Sequence, residues 1–187
     1  IVRQIYDSQA KSITAVDSTL SENLLDEVRQ YPVIDVFQIY EYKAMNNCFY
    51  ILFMPGNWQY EFLEAFIHVL GREEVIFSDY ELFTGKKEYA KIGGCYYSTR
   101  LAVAEKLQEL RKQASVIVFR ESYPGYIPLG VWLVRECVRK AMENKPAEFY
   151  DFGAALNYIS SKLWLPMQRY RKQSALLKQS RLMEFVR

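Results

Sequence analysis

The run Val116-Ile117-Val118-Phe119 decides the fold class, because it is short, uninterrupted and rich in β-branched residues. A strand with one face in water would show a polar residue at every second position, and this run shows none. It therefore predicts a strand buried on both faces of a sheet, which needs helices above and below it. Apolar residues at helical spacing occur on both sides of the run in the sequence: Val103, Leu107, Leu110 and Ala114 before it, and Val131, Val134, Val138 and Ala141 after it.

Further apolar runs predict the elements around this centre. Two runs separated by a turn, 33–42 and 48–54, predict a hairpin. Together with the buried strand, these patterns predict an α/β fold in which helices cover a mixed sheet. The other predicted elements are a strand over 75–83 and helices over 21–28, 58–70 and 151–163.

Composition limits the classes of protein and site that the chain can represent. Half of its 187 residues are hydrophobic, which is typical of a globular chain. Cys48, Cys95 and Cys137 form no C-x-x-C pair and His68 is the single histidine, so neither a disulfide framework nor a zinc site is indicated. We expect reduced, buried thiols. Because no apolar run is long enough to cross a bilayer, we expect a cytoplasmic protein with no membrane partner.

The C-terminal end is the basic part of a nearly neutral sequence. Residues 162–187 contain 7 Lys and Arg against 1 Glu, whereas residues 1–161 contain 17 against 21 Asp and Glu. We expect an α/β domain over 1–165 and a helical basic arm over 166–187. Basic segments attract the phosphate backbone of DNA, although a solvated basic helix is the simpler alternative. The candidate DNA-binding residues of the arm are Arg169, Arg171, Lys172 and Lys178.

Three carboxylates are candidates for catalysis. Asp79 and Glu81 alternate along a predicted strand and so share one face, and Glu121 follows the central strand, where open α/β sheets place ligands. Three converging carboxylates can hold Mg²⁺ for phosphodiester cleavage, with Arg100 on the phosphate. The alternative is ordinary ion pairing of these carboxylates with arginines such as Arg100, and no spacing here matches a nuclease signature.

The helix that carries Arg100 begins at Gly93-Gly94. Glycines at a helix start can cradle a phosphate, but they more often serve a turn that must pack closely. Tyr96 and Tyr97 could stack on bases, yet filling the core is the simpler interpretation.

The last nine residues contain the pattern Q-x-x-hydrophobic-x-x-aromatic-hydrophobic, at Gln179, Leu182, Phe185 and Val186. In a tight helical turn, side chains three apart lie on one face, so Leu182 and Phe185 would enter an apolar pocket together. Val186 would extend this plug, and Gln179 would hydrogen-bond at its edge. This is the layout of a peptide that binds a sliding clamp. The alternative is the apolar stripe of a terminal helix.

Several blocks of sequence follow one another along nearly the whole chain. They are Ser12-Ile13-Thr14-Ala15-Val16-Asp17, Ile39-Tyr40-Glu41-Tyr42, Leu52-Phe53-Met54-Pro55-Gly56-Asn57-Trp58, Asp79-Tyr80-Glu81, Ile92-Gly93-Gly94-Cys95-Tyr96-Tyr97 and Pro128-Leu129-Gly130-Val131-Trp132. In this order they resemble the carboxy-terminal half of the archaeal Nre family of DNA-repair proteins.

The resemblance implies a role in DNA-damage repair and binding of the sliding clamp, PCNA, through Gln179, Leu182, Phe185 and Val186. Family members also carry an upstream region, in some cases with zinc-binding cysteines, that this sequence does not include. We therefore expect a DNA-repair protein that PCNA recruits to DNA. Two alternatives stay open: a structure-specific nuclease that uses Mg²⁺, and a DNA-binding module without catalysis.

Overall fold

The structure is a computed structural model that describes residues 2–179, with side chains from residue 13 onward. One sheet of six strands forms its centre. The elements in chain order are α1 (Val2–Val28), β1 (Phe37–Ala44), β2 (Asn47–Met54), β3 (Gln59–Phe66), β4 (Val75–Glu81), α2 (Gly94–Leu110), β5 (Ser115–Ser122), α3 (Val131–Glu143), β6 (Ala147–Phe149), α4 (Phe152–Ser160) and α5 (Met167–Gln173).

The sheet has the strand order β4-β3-β5-β2-β1-β6. β5 pairs in parallel with β3 and antiparallel with β2, and the other neighbouring strands are antiparallel, so the sheet is mixed. All eight residues of β5 are buried, as the apolar run predicts for a strand covered on both faces. The α/β fold with a mixed sheet is therefore confirmed.

Helices cover both faces of the sheet. On one face α1, α2 and α3 contribute Leu25, Val103 and Val138 to a hydrophobic cluster that we call the α2 face. On the other, α4 and α5 contribute Ile159 and Tyr170 to a second cluster, which we call the α5 face. Because successive residues of a strand point to opposite faces, neighbouring residues of one strand serve different clusters.

The prediction of a helix over 58–70 is wrong. Residues 59–66 form β3, which is hydrogen-bonded to β4 on one side and to β5 on the other. Its apolar residues are buried on both faces, so the alternation that marks a half-buried strand is absent. Glu61 and Glu64 are three residues apart, a spacing typical of the polar face of a helix. In the strand they point to opposite faces, and both are buried.

The other boundaries differ less from prediction. The hairpin is confirmed as β1 and β2, and α4 begins as predicted, since the Asp151 carboxylate accepts a hydrogen bond from Ala154 N at 2.7 Å. The helix predicted over 21–28 is only the end of α1. Exposed apolar residues on the outer side of α1, such as Val16 and Leu20, hide its amphipathic pattern in the sequence.

Candidate functional site

Arg100 lies at the centre of a buried polar cluster between α1, α2 and the end of β4. Its guanidinium donates to Glu81 at 2.7 Å, to Glu22 at 2.6 Å, to Ser21 Oγ at 3.1 Å and to the Ser18 carbonyl at 3.3 Å. Burial acts to lower the pKa of Arg100, but the carboxylates of Glu81 and Glu22 outweigh it and raise that pKa. Every guanidinium nitrogen therefore has an acceptor inside the protein, and Arg100 stays charged.

Glu81 is a buried carboxylate that the same cluster satisfies. Besides the Arg100 bond, it accepts hydrogen bonds from Trp58 Nε1 and Tyr96 OH, both at 3.1 Å. Burial, together with the charge of Glu81, raises the pKa of Tyr96, so this hydroxyl remains a donor. Tyr96 is fully buried and Tyr97 nearly so, which confirms that both tyrosines fill the core.

Asp79 shares the α2 face with Glu81, as the alternation along β4 predicts. It fixes the segment that follows the strand, because its carboxylate accepts from Lys86 Nζ at 2.7 Å and from Lys91 N at 2.6 Å. Tyr97 OH accepts a further bond from Ala90 N at 2.9 Å. The segment between Lys86 and Lys91 is thereby held at both ends.

Glu121 lies on the α5 face. Its carboxylate accepts hydrogen bonds from Tyr123 OH at 2.6 Å, Tyr170 OH at 2.7 Å, Trp164 N at 2.9 Å and Leu165 N at 3.0 Å. Burial and the Glu121 charge raise the pKa of Tyr170. Four uncharged donors therefore satisfy the hydrogen-bonding capacity of this carboxylate. Through these bonds Glu121 joins α5 and the preceding turn to the sheet.

The structure does not bring the three candidate carboxylates together. Asp79 and Glu81 lie beneath α2, whereas Glu121 lies beneath α5, on the other side of the sheet. Within the described part of the chain, no group of three or more His, Cys, Asp or Glu side chains is arranged to hold a metal ion. Ion pairs and hydrogen bonds account for all three carboxylates.

Gly94, at the start of α2, serves close packing. A Cβ built on it would lie 2.7 Å from Val131 Cγ1, at the start of α3, and 2.6 Å from Thr14 Oγ1 on α1. A side chain at this position would collide with both neighbours. This contact supports the packing interpretation of Gly93-Gly94 over the phosphate-binding one.

The candidate DNA-binding residues of the C-terminal segment differ in their surroundings. Arg169 donates to the Glu74 carboxylate at 2.9 Å and to its carbonyl at 2.7 Å. Arg171, Lys172 and Lys178 form no ion pair with any residue that the structure describes, and both lysines are exposed. These three side chains are therefore available to an anionic partner.

Glu61 anchors the end of the described chain from the α5 face of β3. Its carboxylate accepts hydrogen bonds from the Ser174 hydroxyl, from Ala175 N at 2.8 Å and from Leu176 N at 3.0 Å. These donors stand at the start of a helical turn over 176–179, so Glu61 caps that turn. Burial raises the pKa of Glu61 although the three hydrogen bonds act to lower it.

The candidate clamp-binding residues follow directly. Gln179 is exposed at the end of this turn and is the last residue that the structure describes. Leu182, Phe185 and Val186 lie outside the described residues.

Two sequence models of known families match the chain. The model described as "Archaeal Nre, C-terminal" matches residues 81–185, more than half of the chain. The chain belongs to the archaeal Nre family. A second model, "Archaeal Nre, N-terminal", matches residues 10–69. The predicted family is confirmed, and the second match shows that the Nre relationship also covers the first strands of the sheet.

Individual Nre proteins show the same relationship. The DNA repair protein NreB of Archaeoglobus fulgidus is 40% identical over 183 residues, which cover 94% of this chain and 47% of NreB. The DNA repair protein NreA of the same organism is 38% identical over 156 residues, 81% of this chain and 40% of NreA. The NreA of Haloferax volcanii is 32% identical over 173 residues, 88% of this chain and 41% of that protein. The chain thus spans less than half the length of these relatives. No solved structure matches it.

Two residues were not among the sites predicted from the sequence: Glu61, which anchors the end of the described chain, and Tyr89, an exposed aromatic residue between β4 and α2. Glu61 could not be predicted because its partners are more than 100 residues away and no local pattern links them. Tyr89 stands between Lys87 and Lys91, and this alternation of basic and aromatic residues in the sequence could have identified it as a candidate for binding nucleic acid.

None of the helices within the described residues combines the length and apolar character needed to cross a membrane.

Proposed function

We propose that this Nre-family protein acts in DNA repair and that PCNA recruits it through the segment 179–186. The relatives named DNA repair protein NreA and NreB support the first part. The spacing of Gln179, Leu182, Phe185 and Val186 supports the second, because it presents two apolar anchors and a polar edge to one pocket.

One structural observation carries the proposal for the clamp. Leu176 and Leu177 are 2% and 3% exposed and pack on the α5 face, whereas Gln179, two residues later, is exposed. Leu177 is therefore the last apolar residue that the structure describes, and it is buried two residues before the motif begins. Glu61 fixes this point, so the motif has a defined attachment to the domain.

Calorimetric titration of the full chain with PCNA tests the proposal. Interfaces concentrate their binding energy in a few buried anchors, so Phe185→Ala should weaken binding by about 2 kcal/mol, roughly thirtyfold. Gln179→Ala should cost less, because a hydrogen bond at a rim exchanges largely with water. Met183→Ala is the matched control, since Met183 is an apolar residue of the same segment outside the anchor positions.

The thermal stability of each variant completes this test. Variants of a segment that binds only PCNA should unfold at the wild-type temperature. If the wild type does not bind, or if Phe185→Ala and Met183→Ala bind alike, PCNA is not the partner of this segment. A lowered unfolding temperature for Phe185→Ala would assign the motif to the protein's own core.

A second candidate function is DNA binding by the C-terminal basic residues. Arg171, Lys172 and Lys178 favour it, because they have no ion-pair partner among the described residues. Binding should weaken steeply with salt, since each neutralised phosphate releases counterions. Changing all three residues to alanine should make the salt dependence shallower, and unchanged binding would exclude these residues.

A further inference from the structure

A groove lies between α1 and the segment that connects β4 to α2. It has a volume of about 410 Å³ and is lined by Thr14, Ala15, Ser18, Tyr89 and Tyr97. This volume is within the range of about 300–1,000 Å³ that is usual for small-ligand sites. The lining combines two aromatic rings with the hydroxyl groups of Thr14 and Ser18, so it offers both a flat apolar surface and hydrogen-bonding groups.

Tyr89 is the exposed wall of this groove. Its side chain is 65% exposed, whereas Tyr97 behind it is 6% exposed. The two ring centroids are 5.3 Å apart with an angle of 40° between the planes. The guanidinium of Arg100 lies 5.2 Å from the Tyr97 ring, so Tyr97 is part of the rigid interior. Tyr89 therefore presents an aromatic ring to solvent while it rests on a fixed support.

The backbone that carries Tyr89 is also fixed. Asp79 holds Lys86 and the backbone of Lys91, and Tyr97 OH holds Ala90 N, next to Tyr89 in the chain. A ring held in place before binding loses little conformational entropy when a ligand stacks on it. The backbone that follows Tyr89 is thus fixed by hydrogen bonds, and its exposed ring packs against Tyr97.

The positive charge of the segment that carries Tyr89 indicates an anionic ligand. The segment 84–93 contains three lysines against one glutamate. Lys86 is used by Asp79, but Lys87 and Lys91 are exposed and form no ion pair with the described residues. They stand two residues before and two residues after Tyr89. An aromatic ring between two available cations matches the alternation of bases and phosphates along a nucleic-acid strand.

We propose that this groove binds single-stranded nucleic acid, with one base stacked on Tyr89 and the flanking phosphates near Lys87 and Lys91. The proposal rests on the DNA-repair function proposed above and adds the form of DNA that the domain contacts. A duplex is a poor ligand for this site, because its base faces are covered by neighbouring bases.

Fluorescence anisotropy with labelled oligothymidylate, and with a DNA duplex of equal length, tests the site in the full chain. The wild type should bind the single strand more tightly than the duplex. Tyr89→Ala should weaken binding of the single strand about tenfold, and Tyr89→Trp should preserve it, because stacking needs only a ring. Tyr150→Ala is the matched control, since Tyr150 is 87% exposed and follows β6 at the opposite edge of the sheet.

The lysines give an independent measurement. The double variant Lys87→Gln, Lys91→Gln removes two phosphate contacts, so the slope of log affinity against log salt should become shallower by about 1.4. This readout does not depend on whether the Tyr89 variants fold. Circular dichroism should show that Tyr89→Ala retains the wild-type fold, because the replaced ring is mostly exposed.

Three results would overturn the site: equal affinity of Tyr89→Ala and Tyr150→Ala, tighter binding of the duplex, or no binding of the single strand by the wild type at low salt. The last result would leave the groove to a partner other than nucleic acid. Titration of the same variants with PCNA separates this proposal from the clamp proposal, since Tyr89→Ala should bind PCNA as the wild type does. If the wild type binds only one of the two ligands, the proposal for the other ligand fails.

Discussion

Replacing Arg100 by methionine tests whether the buried cluster beneath α2 is structural. Arg100→Met keeps an unbranched apolar side chain but removes the charge, and it leaves Glu81, whose side chain is fully buried, without a cation. Removing one partner of a buried ion pair costs about 3–5 kcal/mol, because the remaining charge stays desolvated. For a chain of this length, that loss corresponds to a fall in unfolding temperature of roughly 10 °C.

Urea unfolding, followed by tryptophan fluorescence, measures this loss directly. Trp58 is fully buried and donates to Glu81, so its emission reports on the cluster. Arg139→Met is the matched control, because Arg139 pairs with Glu105 at 2.6 Å while 34% of its side chain remains exposed. An exposed pair of this kind contributes less than about 1 kcal/mol.

A double variant separates the ion pair from simple packing. Arg100→Met combined with Glu81→Gln removes both charges, so it should be more stable than Arg100→Met alone. The reasoning is refuted if Arg100→Met loses no more stability than Arg139→Met. In that case the guanidinium is not needed to neutralise Glu81.

Three further predictions concern other contacts. Alanine is usually better than glycine in a helix by about 1 kcal/mol, but the collision with Val131 should make Gly94→Ala less stable by about 1–3 kcal/mol in thermal unfolding; a stabilised variant would contradict the packing. Tyr170→Phe removes a hydrogen bond to the buried carboxylate of Glu121 and should cost about 1–3 kcal/mol in urea unfolding, whereas an unchanged midpoint would count against that bond. Burial raises the pKa of Glu61 above its ordinary value of 4.5, so the folded state retains the proton to higher pH than the unfolded state. The stability of the wild type relative to Glu61→Gln should therefore fall as pH rises from 4.5 through the raised pKa, and a difference independent of pH would be inconsistent with this shift.

The sequence predicted elements whose pattern is local. The apolar run at 116–119 identified the central strand, and the stripe of Val131, Val134 and Val138 identified α3, because burial on two faces and burial on one stripe leave distinct local patterns. For the three candidate carboxylates, the sequence predicted the shared face of Asp79 and Glu81 but not the opposite face of Glu121. Alternation fixed which face of β4 Asp79 and Glu81 share, but no local pattern shows which face of the sheet another strand gives to its own carboxylate.

β3 shows why the rest could not be predicted. Its two glutamates are buried because distant groups compensate them: Arg120 pairs with Glu64 on the α2 face, and Ser174 and its neighbours bond to Glu61 on the α5 face. These partners are 56 and 113 residues away. When these distant partners are unknown, burying two carboxylates looks too costly for a strand covered on both faces. The sequence alone therefore favours a helix with a polar face.

The position of β5 between β3 and β2 has a consequence for how the chain is made. Strands β1 to β3 lie within the residues that the N-terminal family model matches, and β5 and β6 lie within those of the C-terminal model. The two matched regions therefore interleave in a single sheet. During synthesis, β2 and β3 each lack their shared neighbour until residue 122 has emerged from the ribosome, and unpaired edges of this kind favour aggregation. We expect that neither region folds when expressed alone, so the division of the family into two models follows its sequences and does not mark two separate folding units.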